Sequence, residues 1–257
     1  MQSSLFIERP SPVHAWHPLT KSSLALLGLV FAAALTDVTW LLIYFALFQL
    51  PLAAYAQIFS NFIRATFLVI WPFTISLAII QGFFSPGERI LFSMGTFNFT
   101  LEGLHAGLAV VARLLVALGA TLQLMLTTRP DRLMLAFREL GLPNAIAYIV
   151  LTALQIIPRF LDRANVILDA QQARGLELQV NLLRRLPLLV PIVSPLILGS
   201  IVEVEERAIA LETRAFNHPG PRTQLENLSD STSQKFLRWA ILALCLTLIA
   251  FRITDLL

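Results

Sequence analysis

The sequence predicts an all-α integral membrane protein, with about five transmembrane helices and long cytoplasmic helices between the fourth and fifth crossings. Three observations predict it. Hydrophobic residues make up 56% of the 257 positions and charged residues only 14%, well below the roughly 25% charged content of an average soluble domain. Apolar runs near 22–36, 39–56, 65–84, 103–127 and 236–254 each approach the ~20 residues a helix needs to cross the hydrocarbon. Basic residues are sorted to one side of those runs, as the positive-inside rule requires.

In chain order, residues 1–21 are polar and proline-marked. They hold no compact apolar stretch followed by a small-residue cleavage site, so no signal peptide is expected. The first crossing is short, and the stem of Lys21 extends it toward the membrane surface by snorkelling. Thr100 suits an N-cap for the fourth crossing, with Glu102 favourable in its first turn. Two marginal runs decide the topology. Asn144 to Pro158 covers 15 residues, and Leu186 to Ile201 is broken by Pro187, Pro191 and Pro195. If the first crossed outward, Arg159, Arg163, Arg174, Arg184 and Arg185 would be stranded outside. If both instead dip in from the cytoplasmic side or lie across the bundle, sixteen of the 19 basic residues lie inside. Arg89 and Arg252 are then outside and Arg113 is within a span. This places the N-terminus in the cytoplasm and the C-terminus outside.

The domain organisation follows: 1–128 with the first four crossings, 129–222 as a cytoplasmic helical region, and 223–257 as linker and last crossing. In the middle region Pro130-Asp131 opens one helix and Gly141-Leu142-Pro143 closes it, because glycine supplies a left-handed stop and proline prevents continuation. A second helix runs from about Asn144 to Arg174 with Pro158 as a kink, and Gly175 caps it. A third begins near Pro187 and ends by Phe216, before His218-Pro219-Gly220-Pro221. Ile157, Leu161, Ala164 and Leu168 form an apolar seam on the second helix; Ile201, Val204, Ala208, Leu211 and Ala215 form one on the third. The charged residues, among them Arg163, Glu203 and Arg207, occupy the remaining faces, so the helices are expected to pack seam to seam. Ala173-Arg174-Gly175 and Thr213-Arg214-Ala215 close them. An arginine at a helix end offers a planar fork that matches a carboxylate bidentately and stays charged near neutral pH.

Together these residues resemble the energy-coupling factor (ECF) transporter transmembrane protein, the T component of the EcfT/CbiQ family, over nearly the whole chain. The resemblance rests on His17-Pro18-Leu19-Thr20-Lys21, Thr100-Leu101-Glu102-Gly103-Leu104, Gly141-Leu142-Pro143, Ile157-Pro158 and the two arginine tripeptides, in that order. It implies two cytoplasmic coupling helices whose ends, Ala173, Arg174, Gly175 and Thr213, Arg214, Ala215, dock into grooves on two ABC-type ATPase subunits. It also implies a separate substrate-binding membrane protein, the S component, seated on their other surfaces. The chain would then be a non-catalytic scaffold in uptake of a vitamin or a transition-metal ion, with lipid as its surroundings and no nucleic-acid partner. Two positions depart from the family pattern: His17 stands where Asp often precedes the proline, and Thr-Arg-Ala replaces the more frequent Ala-Arg-Gly.

Other candidates read differently. Arg113 needs a partner at membrane depth, either a neighbouring helix or the S component. His14 and His17 have one-turn spacing, but no carboxylate or cysteine clusters with them in sequence, so no metal site is expected. Gly103 and Gly107 form a common helix-contact pattern, and the Phe-rich stretches at 83–84 and 97–99 suit interfacial aromatics. Cys245 is the single cysteine, which excludes a disulfide framework. Gly82 and Gly87 have P-loop spacing, but Glu88-Arg89 follow, so no bound cofactor is expected and ATP would be hydrolysed by partner subunits. An intramembrane hydrolase or transferase would need an activated nucleophile or clustered carboxylates at membrane depth. A stand-alone transporter or channel would need a polar midplane site. The crossings offer no such nucleophile or carboxylate cluster and, beyond Arg113, little polar lining, so no catalytic residue is assigned.

Overall fold

The computed structural model describes residues 11–85, 87, 89–94, 97–176, 190–216, 218 and 230–256. The expected features at Arg184, Arg185, Pro187, Pro219-Gly220-Pro221 and Arg222 lie outside these. Along the chain the elements are α1 (Pro12–Ala15), α2 (Pro18–Ala34), α3 (Val38–Tyr44), a π-helical turn (Phe45–Gln49), α4 (Leu50–Tyr55), α5 (Phe59–Phe84), β1 (Ile90–Met94) and β2 (Phe97–Thr100). There follow α6 (Leu101–Thr127), α7 (Pro130–Glu139), α8 (Asn144–Ala173), α9 (Val190–Thr213) and α10 (Thr232–Leu256). They form two compact units, α1–α7 with α10, and α8 with α9.

Five segments are long and apolar enough to cross a membrane: Val38–Tyr55, Phe59–Phe84, Leu101–Thr127, Asn144–Ala173 and Thr232–Thr254. This makes the chain a multi-pass membrane protein. The set differs from the sequence reading at two places. The expected first crossing, α2, has only 17 residues, whereas the marginal run from Asn144 continues without a break into α8, a helix of 30 residues. Pro158 does not stop it. Within an apolar helix the competing extended conformation would leave backbone groups without partners, which favours keeping the helix through a proline.

In the larger unit, α6 is the central helix, and small residues let its neighbours approach. A Cβ on Gly103 or Gly107 would meet the α5 carbonyls of Gln81 and Leu77 at 2.3 and 3.1 Å, so the Gly103/Gly107 pattern is a helix contact here. A Cβ on Gly28 of α2 would lie 2.5 Å from Ala120 of α6. Buried Leu41, Tyr44, Ala112 and Val116 join α3 to α6, and Leu27 with Ile241 and Cys245 joins α2 to α10. The π-helical turn precedes Pro51, which has no N–H to give the carbonyl of Leu47, and a widened turn accommodates that loss. Gln123 then donates to the Gln49 carbonyl, and Gln49 donates to the Val116 carbonyl at 2.8 Å.

Between α5 and α6 the sequence suggests only an outer loop, but β1 and β2 form an antiparallel hairpin with Ile90 opposite Thr100 and Met94 opposite Phe97. Phe83 packs edge-on against Phe99, with ring centroids 5.2 Å apart. Thr100 caps α6 as expected, accepting from Gly103 N–H at 3.2 Å, while Glu102 accepts from the Arg89 N–H at 3.3 Å.

Candidate functional site

The two arginine tripeptides share one backbone geometry. Arg174 is the C-cap of α8. Gly175 N–H donates to Gln172 O at 2.9 Å and Leu176 N–H to Gln171 O at 3.0 Å. At the end of α9, Ala215 N–H donates to Glu212 O and Phe216 N–H to Leu211 O, both at 2.9 Å. These are paired Schellman closures, in which the residue after the C-cap turns left-handed and the last carbonyls find donors. Gly175 has φ +91° and Ala215 φ +54°. Both arginines are exposed.

α8 and α9 pack antiparallel, as three pairings along their length show. Gln171 Nε2 donates to Pro191 O at 3.2 Å, Arg163 Nη1 donates to Glu203 Oε2 at 3.0 Å, and the rings of Tyr148 and Phe216 lie 5.1 Å apart. Arg214 is therefore level with the first turns of α8. Arg174 lies about 24 residues further along that helix, roughly 36 Å at 1.5 Å per residue. The structure thus puts the two tripeptides at opposite ends of one hairpin and does not bring them together.

The faces that meet overlap the expected seams only in part, at Ala164, Leu168 and Leu211. Ile157 and Leu161 are each 58% exposed, Ile201 51% and Val204 60%. The covered positions are Ile156, Phe160, Ala164 and Leu168 on α8, and Ile192, Leu196, Gly199, Glu203, Arg207 and Leu211 on α9. The reason is an ionic hub. Glu203 takes Arg163 across the gap and Arg207, 2.7 Å away, from its own helix, while Gly199 leaves room beneath the Arg163 guanidinium. α9 is apolar on more than one side, so periodicity alone could not say which side faces α8. The stripe Ile201, Val204 and Ile209 is left uncovered within this hairpin.

In the larger unit Arg113 finds a helix rather than a carboxylate. Its Nε donates to the Leu35 carbonyl at 3.2 Å, at the C-terminus of α2, where the dipole favours a cation. His17 takes the N-cap role that an aspartate would fill, its Nδ1 accepting from Leu19 N–H at 3.2 Å. That bond puts the ring proton on Nε2, 3.3 Å from Glu139 Oε2 of α7. The His17 N–H donates to Gln234 Oε1 at 2.8 Å and Arg238 pairs with Asp230, so α10 is latched to the start of α2. His14 bonds Ser11. Sequence reasoning missed Gln49, Gln123, Glu139, Gln234 and the hub at Glu203. Only their pairing with groups far along the chain marks them, and that has no one-dimensional signature.

Comparison with known proteins agrees with this architecture. The family described as CbiQ, cobalt transport protein, matches over residues 10–225. The chain is 32% identical over 170 residues, 63% of each chain, to the energy-coupling factor transporter transmembrane protein EcfT of Limosilactobacillus fermentum. That match spans less than two thirds of the relative's length. It is also 27% identical to EcfT of Listeria innocua over 96% of this chain and 94% of that one, and 29% identical to EcfT of Heliobacterium modesticaldum over 87% and 86%. With a family match covering most of its length and the helical architecture described above, the chain belongs to the CbiQ/EcfT family, the transmembrane component of energy-coupling factor transporters.

Proposed function

We propose that this chain is the non-catalytic coupling subunit of an ECF-type importer, with Arg174 and Arg214 docking into two ABC-type ATPase subunits. One observation carries the reading: two exposed, identically capped arginines stand roughly 36 Å apart at opposite ends of a single hairpin. Ends so separated suit two bodies rather than one pocket. A hairpin gripped at both ends turns relative motion of those bodies into tilt of its long faces. The uncovered stripe at Ile201, Val204 and Ile209 offers an apolar seat for a substrate-binding S component, which would choose the cargo, a vitamin or a transition-metal ion. ATP would be bound and hydrolysed by the ATPases. Within this reading the N-terminus and the hairpin ends face the cytoplasm at the plasma membrane, and Arg113 serves the bundle rather than the S component.

The test is the double variant Arg174→Ala with Arg214→Ala, purified with its operon neighbours. Both ATPases should be lost from the complex, or retained with transport abolished. Truncating a buried, hydrogen-bonded arginine at an interface costs about 2–5 kcal/mol, largely because its partner charge is left unpaired. Unchanged co-purification together with full transport would overturn the proposal.

A further inference from the structure

The chain passes between its two compact units twice, after Leu142 and again ahead of Asp230. Side chains beside both passages converge on one buried ring. Glu139, the last residue of α7, puts Oε2 3.3 Å from His17 Nε2, and among the described residues it is the one carboxylate within ion-pairing distance of that ring. On the other side, Gln234 Oε1 of α10 accepts the His17 N–H at 2.8 Å. Arg238 sets Nη1 3.4 Å from His17 Nδ1 and gives Nη2 to Asp230. The basic groups one turn away are engaged elsewhere: Lys21 Nζ donates to the His14 and Thr127 carbonyls, and His14 bonds Ser11.

A neutral imidazole carries one ring proton, and the bond made at one nitrogen decides which nitrogen holds it. An ionised carboxylate only accepts, so Glu139 draws the proton to Nε2. Nδ1 is then left with a lone pair that meets two donors, the Leu19 N–H at 3.2 Å and Arg238. With the proton on Nδ1 instead, three donors would face one another there and Nε2 would turn a lone pair toward the carboxylate. The His17 side chain is fully buried, so water does not stand in for either partner. The group on α7 and the group on α10 therefore require the same tautomer from opposite sides of the ring.

We propose that His17 is a positioning residue whose tautomer ties the end of α7 to the start of α10: Glu139 fixes the proton on Nε2, and Nδ1 in turn holds Arg238. α8 begins at Asn144, five residues beyond Glu139, so a pull on α8 reaches α10 as well as α7. That use rests on the coupling reading, whereas the tie itself does not.

The test uses the full-length chain without other subunits, in nanodiscs at about pH 8, where imidazole is neutral, with isotope-labelled histidine for nitrogen NMR. His17 should appear as the tautomer with Nε2 protonated and Nδ1 bare. In Glu139→Ala the Nδ1-protonated tautomer should appear. The Gln234 and Lys235 amides, which donate to Ser231 O and do not touch Glu139, should then exchange about fivefold faster, the factor one net hydrogen bond supplies. His17→Asn keeps an acceptor for the Leu19 N–H but lacks Nε2, so it should speed exchange of the Leu140 and Gly141 amides at the end of α7. An unchanged tautomer and unchanged α10 amides in Glu139→Ala would overturn the proposal, leaving His17 an N-cap with independent neighbours. A ring protonated on Nδ1 in the unaltered chain would overturn it too, and that measurement stands alone if a variant fails to fold. Because no ATPase or S component is present, none of these outcomes bears on the coupling function.

Discussion

The ends of α8 and α9 close with the same two backbone hydrogen bonds, yet Gly175 holds the left-handed position in one and Ala215 in the other. A residue with a Cβ gives up roughly 1–2 kcal/mol in that conformation. The alanine end adopts it all the same, so the geometry that presents Arg214 is not left to local preference. Phe216, the residue after Ala215, packs its ring at a tilt against Tyr148 from the other helix. The glycine end relies on its own backbone, and the alanine end relies on the hairpin.

The largest effects should come from the arginines taken singly. Arg174→Ala and Arg214→Ala should each weaken binding of an isolated ATPase subunit by about 2–5 kcal/mol, read by titration against the chain in nanodiscs. Equal losses would keep the two ends equivalent, while a loss at one end only would break the comparison. Next comes Gly175→Ala. No atom of a described residue lies within 4 Å of the added Cβ, so the change reads backbone strain, about 1–2 kcal/mol, visible as faster hydrogen exchange of the Leu176 amide. An unaltered rate would mean this end is held from outside as well.

Ala215→Gly should act with the opposite sign and by less, below about 1 kcal/mol, because glycine also gains freedom in the unfolded chain. Slower exchange of the Phe216 amide is the expected reading. Smallest is Glu203→Gln at the hub. Arg163 is 44% exposed and Glu203 30%, so solvent screening limits the link to roughly 0.2–1 kcal/mol. Spin labels at Val166 and Ile201 should report a broader distance distribution. If it stays narrow, apolar packing at Leu196 and Phe160 sets the crossing alone.

Helix boundaries were the most legible part of this chain. Pro130, Gly141-Leu142-Pro143 and Gly175 act through φ restrictions within a few residues, and α7 and α8 start and stop where those residues stand. The arginine tripeptides were legible for the same reason. Less legible was the second crossing, where a π turn precedes Pro51 and the Gln49 carbonyl at its end is met by Gln123, 74 residues away. The hairpin between α5 and α6 was missed because its short apolar strands abut helices of the same composition.

The seams show where periodicity reaches its limit. Ile201 and Val204 repeat at helical spacing as faithfully as Ile192 and Leu196, yet only the second pair is buried. Choosing between them takes the Arg163–Glu203 pair and the small Gly199, none of which a single-helix pattern ranks above the rest.

By itself the sequence determined that the chain enters a membrane, where its helices stop, and which two arginines crown the hairpin helices, because hydropathy, φ limits and capping all act over short distances. Only the tertiary structure decided which helix faces meet, that Arg113 answers the end of α2, and that the two tripeptides stand at opposite ends. Those outcomes depend on matching polar groups tens of residues apart, which local chemistry does not encode.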